Sequence, residues 1–365
     1  MTETTIPHRL NLRAGDWVQV RSKEEILGTL DQNGRLEQMP FMPEMFQFCG
    51  KKFQVGKRAH KTCDPVNGLQ SRGLPDSVHL EGLRCDGSAH AGCQAGCLLF
   101  WKEAWLKPVG GAEAGSRNSS PAAPNPSRGC TEDEVLRGTI AADQPAGMEE
   151  PIYVCQATQV AAATTPLPWW DVKQYIEDFR SGNVTVFQMI RALVFWTYHN
   201  LCGVGLGFGS AMRWAYDIFM KAIGGSPYPW RIGKVPKGAR TPTGKLDVQE
   251  GEMVRIKDYH EILETLDEDW KNRGLYFDAE MVPYTNGTYK VLKRVNRIID
   301  EKTGKMLNFK NECLPLPHPH RVSTDLDTRK PGAQAPPRVR YQQSHQSAWC
   351  TLLGGRFQVP SATGE

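Results

Sequence analysis

The residues with the clearest chemical potential are three cysteines in the segment RCDGSAHAGCQAGC at 84–97. Cys85, Cys93 and Cys97 follow Cys63 in the pattern Cys-x21-Cys-x7-Cys-x3-Cys, so four thiols fall within 35 residues. A catalytic cysteine needs one thiol and a base, whereas metal ligation needs several soft donors. We therefore predict a metal site that these four cysteines hold.

The spacing leaves the identity of the metal open. Only the pair Cys93-x3-Cys97 has the short knuckle typical of zinc, while long irregular spacings with glycines suit an iron–sulfur cluster. The sequence favours iron–sulfur over zinc, and free or redox-active cysteines are a third interpretation. Two further cysteines are reserve ligands: Cys130 opens a predicted helix, and Cys155 lies in the strand-like run YVCQAT.

Polar side chains that could act as acid, base or charge partner lie beside the cysteines. The candidates are His60, Lys61, Asp64, Asp86 and His90. Either histidine could replace one thiol as a ligand. The sequence has no recognisable Ser-His-Asp order, phosphate loop or pair of carboxylates. It therefore identifies no reaction and leaves open whether the chain is an enzyme.

Length and composition limit the classes of protein to consider. With 365 residues, the chain is long enough for two or three domains and does not need its ten cysteines as cross-links. The opening residues, MTETTIPHRL, lack the basic and apolar runs of a secretory signal, which predicts a cytoplasmic protein with reduced thiols. A net charge of +4 is too small to indicate nucleic-acid binding by itself.

An internal repeat relates the two ends of the chain. GDWVQVRSKEEILGTLD at 15–31 and GEMVRIKDYHEILETLD at 251–267 agree at eight of seventeen positions with a constant offset of 236. Two copies of one domain explain this agreement. Strand, short helix, irregular loop and strand resemble a small SH3-like barrel of the KOW type. Such barrels bind a peptide, RNA or a partner subunit, although a purely scaffolding role is the alternative.

These patterns predict an α+β fold in which two SH3-like small β-barrel repeats are joined by a helical middle region with a cysteine-rich metal-binding segment. The predicted parts are a first barrel with the cysteine cluster at 1–107, a flexible linker at 108–128, a mainly helical region at 129–246, a second barrel at 247–313 and an irregular tail at 314–365.

The middle region contains a long uncharged stretch. No charged residue occurs between Ala192 and Gly209, a length close to the minimum for a membrane span. His199 and the glycines of this stretch argue against insertion. A helical hairpin resting on a membrane surface and a buried pair of helices remain the two interpretations.

Several segments resemble a family of uncharacterised bacterial proteins with two related halves. They are PFMPEMFQFCGKKF, RAHKTCD, HLEGLRCDGSAHAGCQAGCLLFWKEAWL and NRIIDEKTGKMLNFKNEC. The resemblance covers most of 12–107 and 130–313 and implies a second half that continues into cysteines and an aromatic segment. This chain departs from the pattern after Cys313, where a tail rich in Pro, His, Arg and Ser is predicted to be disordered.

The sequence thus predicts a cysteine-ligated metal protein of a bacterial biosynthetic pathway, with an iron–sulfur cluster favoured over zinc. The alternative is a zinc-stapled scaffold whose SH3-like barrels bind a protein or RNA partner. A small-molecule partner and a peripheral contact at the inner face of the membrane are compatible with either interpretation.

Overall fold

The computed structural model describes residues 9–64, 66, 70–109, 129–145, 147, 150–204, 207–242, 247–272 and 275–313. The predicted tail at 314–365 and nearly all of the predicted linker at 108–128 lie outside these residues.

Short strands and helices alternate along the described chain. The strands are β1 (Trp17–Val20), β2 (Arg35–Leu36), β3 (Met39–Pro40), β4 (Lys52–Arg58), β5 (Lys61–Cys63), β6 (Ser71–Gly73), β7 (Ser77–Leu80), β8 (Trp101–Lys102), β9 (Leu106–Pro108), β10 (Thr165–Pro166), β11 (Met253–Arg255), β12 (Lys271–Asn272), β13 (Leu275–Tyr276), β14 (Thr288–Lys290), β15 (Val295–Ile299) and β16 (Met306–Cys313). The α-helices are α1 (Lys23–Leu27), α2 (Glu132–Arg137), α3 (Gln156–Ala163), α4 (Val172–Arg180), α5 (Val186–Gly203), α6 (Gly209–Ala222) and α7 (Tyr259–Leu263). Three 3₁₀ turns cover Pro43–Phe48, Glu103–Trp105 and Ala279–Tyr284.

The chain forms two compact units. Among the described residues, unit 1 contains those up to Val186 together with Arg297–Leu307, and unit 2 contains Phe187–Asn296 together with 308–313. Unit 1 is therefore built from two stretches that are far apart in the sequence.

A five-stranded antiparallel sheet forms the centre of unit 1, in the order β8-β7-β4-β1-β9. In β1, Val18 and Val20 are fully buried, because alternate residues of a strand face the same side of the sheet. The preceding Trp17 is exposed. Helix α1 begins in a capping box, in which Ser22 and Glu25 each bind the other's backbone N–H. A smaller antiparallel sheet, β10-β6-β5, lies in the same unit.

Unit 2 repeats the first elements of unit 1. Adding 236 to the bounds of α1, β2, β3 and the turn Pro43–Phe48 gives the bounds of α7, β12, β13 and the turn Ala279–Tyr284. The cap is also repeated, with Asp258 and Glu261 in the places of Ser22 and Glu25. The sheet is reduced, since β11 pairs only with β14.

The fold is α+β with several small antiparallel sheets, so the predicted α+β class is confirmed. None of the sheets formed by the described residues closes into a barrel. Helices α5 and α6 leave many apolar side chains exposed, among them Phe187, Leu193, Trp196, Trp214 and Phe219. No described helix has the length and apolar character needed to cross a membrane.

Candidate metal centre

A closed loop in unit 1 carries three of the predicted ligands. Arg84 and Leu98 form an isolated antiparallel bridge, and the Cys85 N–H donates to the Cys97 carbonyl oxygen at 2.8 Å. We call residues 84–98 the thiol loop. Its two ends are fixed to each other, so Cys85 and Cys97 lie side by side at its neck.

Glycine allows the backbone inside the thiol loop to turn tightly. The Gly87 carbonyl oxygen accepts from the N–H groups of His90 and Gly92, each at 3.0 Å, and the Cys93 N–H donates to the His90 carbonyl oxygen at 3.0 Å. Gly87 has φ 73°, a left-handed conformation that side chains disfavour. A Cβ atom at this position would lie 1.9 Å from the Cys93 carbonyl oxygen. Only glycine permits this approach of Gly87 to Cys93.

His90 ties the thiol loop to two other segments. Its Nδ1 donates to Glu44 Oε1 at 2.7 Å and its Nε2 donates to the Val154 carbonyl oxygen at 3.0 Å. Burial opposes protonation of His90, but the hydrogen bond and charge of Glu44 outweigh it and raise the pKa of the imidazole. Because both ring nitrogens face acceptors, the imidazolium form fits the site. Neither nitrogen is directed toward the thiols.

Cys155 directly follows Val154, and its thiol is the fourth one near the thiol loop, after Cys85, Cys93 and Cys97. Cys155 caps helix α3, and its N–H donates to Thr158 Oγ1 at 3.0 Å. The strand predicted for YVCQAT is wrong at this point, since the extended backbone ends in a bridge at Tyr153 and the helix-forming run QATQVAAA begins at Gln156. The helix start brings Cys155 beside the thiol loop.

The thiols of Cys85, Cys93, Cys97 and Cys155, called the thiol cluster from here on, act on one another electrostatically. Burial raises the pKa of Cys97 well above its ordinary value, and Cys155 and Cys85 raise it further. Burial likewise raises the pKa of Cys155 to about 11, with a contribution from Cys93. The pKa of Cys85 is raised by burial, then by Glu44, Cys155 and Cys93. Cys85, Cys97 and Cys155 are therefore protonated thiols at neutral pH in the absence of a bound cation.

Backbone N–H groups approach several of these sulfurs. The Ile299 N–H lies 3.4 Å from Cys93 Sγ. The N–H of Gly87 lowers the pKa of Cys85 against the larger effect of burial, and the N–H groups of Thr158 and Ala157 do the same for Cys155. Such N–H···S contacts favour the thiolate form that metals bind.

Strand β15 completes the surroundings of the cluster from the far end of the chain. The Gln94 N–H donates to the Arg297 carbonyl oxygen at 3.0 Å, which pairs the thiol loop with this strand. Glu301 follows, and its pKa is raised to about 7 by burial and by Asp300. Its charge also contributes to the raised pKa of Cys97.

The cluster offers suitable donors, but its sulfurs do not form a coordination sphere. Within the part of the chain that the structure describes, no three His, Cys, Asp or Glu side chains are arranged so that they could jointly hold a metal ion. Binding would require rotation of the thiol side chains until each sulfur reached about 2.3 Å from zinc or a comparable distance from iron. Glu44 Oε2, beside Cys85, is buried and has no hydrogen-bond partner.

Cys63 lies in a different part of unit 1. It pairs with Ser71 in the sheet β10-β6-β5, where the neighbouring Arg72 donates to the carbonyl oxygens of Ala161 and Thr164, each at 2.8 Å. These carbonyls are at the C-terminal end of α3, whereas Cys155 is at its N-terminal end. Eight helical residues span about 12 Å. Cys155 and not Cys63 is therefore the fourth thiol beside the loop.

The second reserve cysteine, Cys130, also lies apart from the cluster. Its N–H donates to the Leu27 carbonyl oxygen at 3.1 Å, just before helix α2. Burial and then the charge of Glu134 raise its pKa. It packs as a small buried side chain between α1 and α2.

The remaining candidate acid–base residues do not all meet in one site, although His60 and Lys61 share one carboxylate partner, Asp178. His60 Nε2 lies 3.3 Å from the Gln174 carbonyl oxygen, and Lys61 forms an ion pair with Asp178 of α4. Asp64 pairs with Arg72 at 3.2 Å. Asp86 is exposed, and its Oδ1 accepts the Ser88 N–H at 2.9 Å. These contacts stabilise turns and join α4 to the sheets.

Sequence reasoning did not single out two carboxylates near the thiols, Glu44 and Glu301. Glu44 could have been identified from the repeat, which aligns it with Glu280. An acidic residue that occurs in both copies inside an apolar segment predicts a buried carboxylate. Comparison of the chain with protein-family models, with curated proteins and with solved structures finds no significant match in any of the three.

Proposed function

We propose that this chain is a metal protein whose thiol cluster, Cys85, Cys93, Cys97 and Cys155, ligates an iron–sulfur cluster or a zinc ion. The observation that carries the proposal is the proximity of four thiols from two distant segments, two buried and two half-buried, with backbone N–H groups directed at Cys85, Cys93 and Cys155. The sulfur of a neutral thiol is only a weak acceptor for such donors, whereas a metal-bound thiolate is a stronger one.

The donor set fits the proposed metal chemically. Four thiolates suit zinc, as in structural sites, and equally suit an iron–sulfur cluster. A bound metal would stabilise the thiolates that burial otherwise disfavours, so binding would release protons. The irregular spacing of the three loop cysteines keeps the iron–sulfur cluster as our first choice and zinc as the second.

The same surroundings argue against a thiol enzyme. A nucleophilic cysteine depends on a lowered pKa beside a cation, a helix N-terminus or a base. Here burial raises the pKa of Cys85, Cys97 and Cys155. His90, a cationic group of the thiol loop, is already paired with Glu44. We propose no reaction, and a place in a bacterial biosynthetic pathway rests on the family resemblance alone.

A scaffold function is the second proposal. The sheet order β8-β7-β4-β1-β9, with a 3₁₀ turn at Glu103–Trp105 before the last strand, supports an SH3-like module in unit 1. In this proposal a structural zinc ion stabilises the module, and the module binds a protein or RNA partner. In the same proposal the protein is cytoplasmic, and the exposed apolar side chains of α5 and α6 support a peripheral contact at the inner face of the membrane.

The test is purification without oxygen, followed by an absorption spectrum and by analysis of iron, zinc and acid-labile sulfide. Iron with sulfide and visible absorption would support the first form of the proposal, and colourless stoichiometric zinc would support the second. Each cysteine of the thiol cluster is then replaced by serine, and Cys63→Ser and Cys130→Ser serve as matched controls. The cluster variants should lose the metal and the controls should keep it.

Two results would contradict the proposal. The first is a protein that binds neither metal after reconstitution with iron and sulfide or with zinc. The second is loss of metal in Cys63→Ser together with retention in Cys155→Ser, because the ligands would then not be the thiols that lie beside one another.

A further inference from the structure

Unit 2 contains a half-open cavity whose wall is largely aromatic. Its volume is about 430 Å³, within the range of small-molecule sites. Trp230, Trp270 and Tyr276 supply three aromatic side chains to the wall, and His199 adds an imidazole. The cavity lies entirely within unit 2, so its properties are independent of the thiol cluster.

Trp270 occupies a position where its backbone is strained. Its φ is 58°, a left-handed conformation that bulky residues rarely adopt. The repeat supplies an internal comparison, because the equivalent residue of the first copy is Gly34 with φ 70°. Both turns contain the same backbone hydrogen bond. The Phe41 N–H donates to the Gly34 carbonyl oxygen at 2.9 Å, and the Phe277 N–H donates to the Trp270 carbonyl oxygen at 2.8 Å. The turn therefore does not require an indole, and glycine would form it without strain.

The first copy has no room for a side chain at the equivalent place. A Cβ atom on Gly34 would lie 3.0 Å from the Cα atom of Val135 in helix α2. In the second copy Trp270 instead faces the cavity. Tyr276, which pairs with Lys271 across the β12–β13 hairpin, stands where the first copy has Pro40. Two aromatic walls thus replace a glycine and a proline of the other copy.

The rings form a corner and not a flat slot. The Trp270 and Tyr276 centroids are 6.2 Å apart with an interplanar angle of 74°, and His199 and Trp230 are 4.5 Å apart at 55°. A flat ligand would need two parallel rings to stack between. Faces set at a steep angle instead surround a rounded group, and the faces of Trp and Tyr attract a cation such as a methylated ammonium. Glu268 on the same wall adds a negative charge.

Arg213 adds a positive charge to the wall. Its Cζ atom lies 5.7 Å from the centre of the Tyr228 ring, and its Nε is buried without a hydrogen-bond partner. Arg213 would repel a simple cation, but it would attract an anionic group on the same ligand. Burial lowers the pKa of His199, so this ring adds no second positive charge at neutral pH.

We propose that this cavity binds a small zwitterion in which a quaternary ammonium is joined to an anionic group, as in betaine or phosphocholine. The ammonium lies in the corner of Trp270 and Tyr276 beside Glu268, and the anionic group faces Arg213. The ligand is either a free solute or the headgroup of a lipid, because both sources present the same chemistry.

The test measures binding of phosphocholine and of glycine betaine to the full-length chain by titration calorimetry. If the ligand is a free solute, at least one should bind with one site per chain. Trp270→Gly should weaken that binding at least about tenfold, the scale of a lost cation–π contact. The same substitution relieves the backbone strain but removes the bond from Trp270 Nε1 to the Arg231 carbonyl oxygen, so thermal stability should change little. Trp169→Ala, an exposed tryptophan of unit 1, is the matched control and should bind as the wild type does.

A second ligand tests the charge itself. 3,3-Dimethylbutyl phosphate has the shape of phosphocholine with carbon in place of the charged nitrogen, and it should bind at least about tenfold more weakly. Vesicles of phosphatidylcholine distinguish the two sources of the ligand. If the chain binds the vesicles through Trp270 but does not bind the free zwitterions, the ligand is a lipid headgroup. If it binds the free zwitterions but not the vesicles, the ligand is a solute. The proposal is overturned if the neutral analogue binds equally well, if Trp270→Gly binds as the wild type does, or if neither zwitterion nor vesicle binds at millimolar concentration.

Discussion

Replacing Gly87 with alanine should damage the thiol loop far more than the same replacement at Gly92. Both glycines are left-handed, with φ 73° and 71°, so both variants incur the same backbone penalty of about 1–2 kcal/mol. They differ in what the new methyl group meets. At Gly92 no atom lies within 4 Å of the Cβ position, whereas at Gly87 the Cys93 carbonyl oxygen lies 1.9 Å away.

The contact at Gly87 cannot be relieved by a side-chain rotation, because the obstructing atom belongs to the backbone. The peptide of Cys93 must shift, which breaks the bonds from His90 and Gly92 to the Gly87 carbonyl oxygen. Each such bond contributes roughly 1 kcal/mol. Adding these to the backbone penalty gives a loss of about 3–4 kcal/mol for Gly87→Ala, compared with about 1–2 kcal/mol for Gly92→Ala.

The assay is urea unfolding of both variants, once with a metal chelator and once after reconstitution. The chelated samples measure the loop alone, and the difference between the two series measures the coupling of metal binding to folding. Gly87→Ala should also load less metal, because the Cys93 sulfur is displaced with its peptide. Equal losses of stability in the two variants would refute the argument, since only the close approach at Gly87 distinguishes them.

Two further predictions concern unit 1 away from the thiols. Burial lowers the pKa of His79 from its ordinary 6.5 to about 4, so the unfolded chain binds the proton more readily and unfolding becomes easier as the pH falls from 6.5 toward 4, by about 3 kcal/mol in total. His79→Gln should remove this part of the pH dependence in unfolding measurements, and an unchanged slope would contradict the assignment. Glu103 is buried against Arg58, and its carboxylate also accepts three backbone N–H groups of residues 10–12. Arg58 keeps Glu177 and Asp76 as partners, so replacement of Glu103 by glutamine should cost roughly 1.5–3 kcal/mol through the weakened hydrogen bonds to the lost charge. Glu132→Gln, which removes an exposed ion pair, should cost less than about 1 kcal/mol and provides the control.

Local signals in the sequence predicted the local structure well. The predicted order of a strand and a short helix at the start of the first copy corresponds to β1 and α1. The offset of 236 predicted a second copy of the same element order, and α7 has the bounds that this offset gives. Such features depend on neighbours within a few residues, which the sequence displays directly.

Which cysteines form the thiol cluster depends on contacts between residues far apart in the chain, and these contacts are harder to predict from the sequence. Cys63 is closer in sequence to Cys85 than Cys155 is, so spacing alone favoured it. Cys155 reaches the loop because His90 donates to the carbonyl oxygen of Val154, its chain neighbour. No periodicity or spacing reports a hydrogen bond across 64 residues. The approach of Ile299 to Cys93 was hidden for the same reason.

The return of strand β15 to unit 1 has a consequence for the order of events during synthesis. Unit 1 acquires its last described part, Arg297–Leu307, only after the ribosome has made the 110 residues from Phe187 to Asn296. At about 5–20 residues per second, that interval lasts roughly 5–20 s. During this time the nascent thiol loop has no Ile299 N–H at Cys93 and no Glu301 nearby. Final closure of the thiol cluster is thus a late step, and a metal delivered earlier would meet a more open and more solvated set of thiols than a metal delivered to the finished chain.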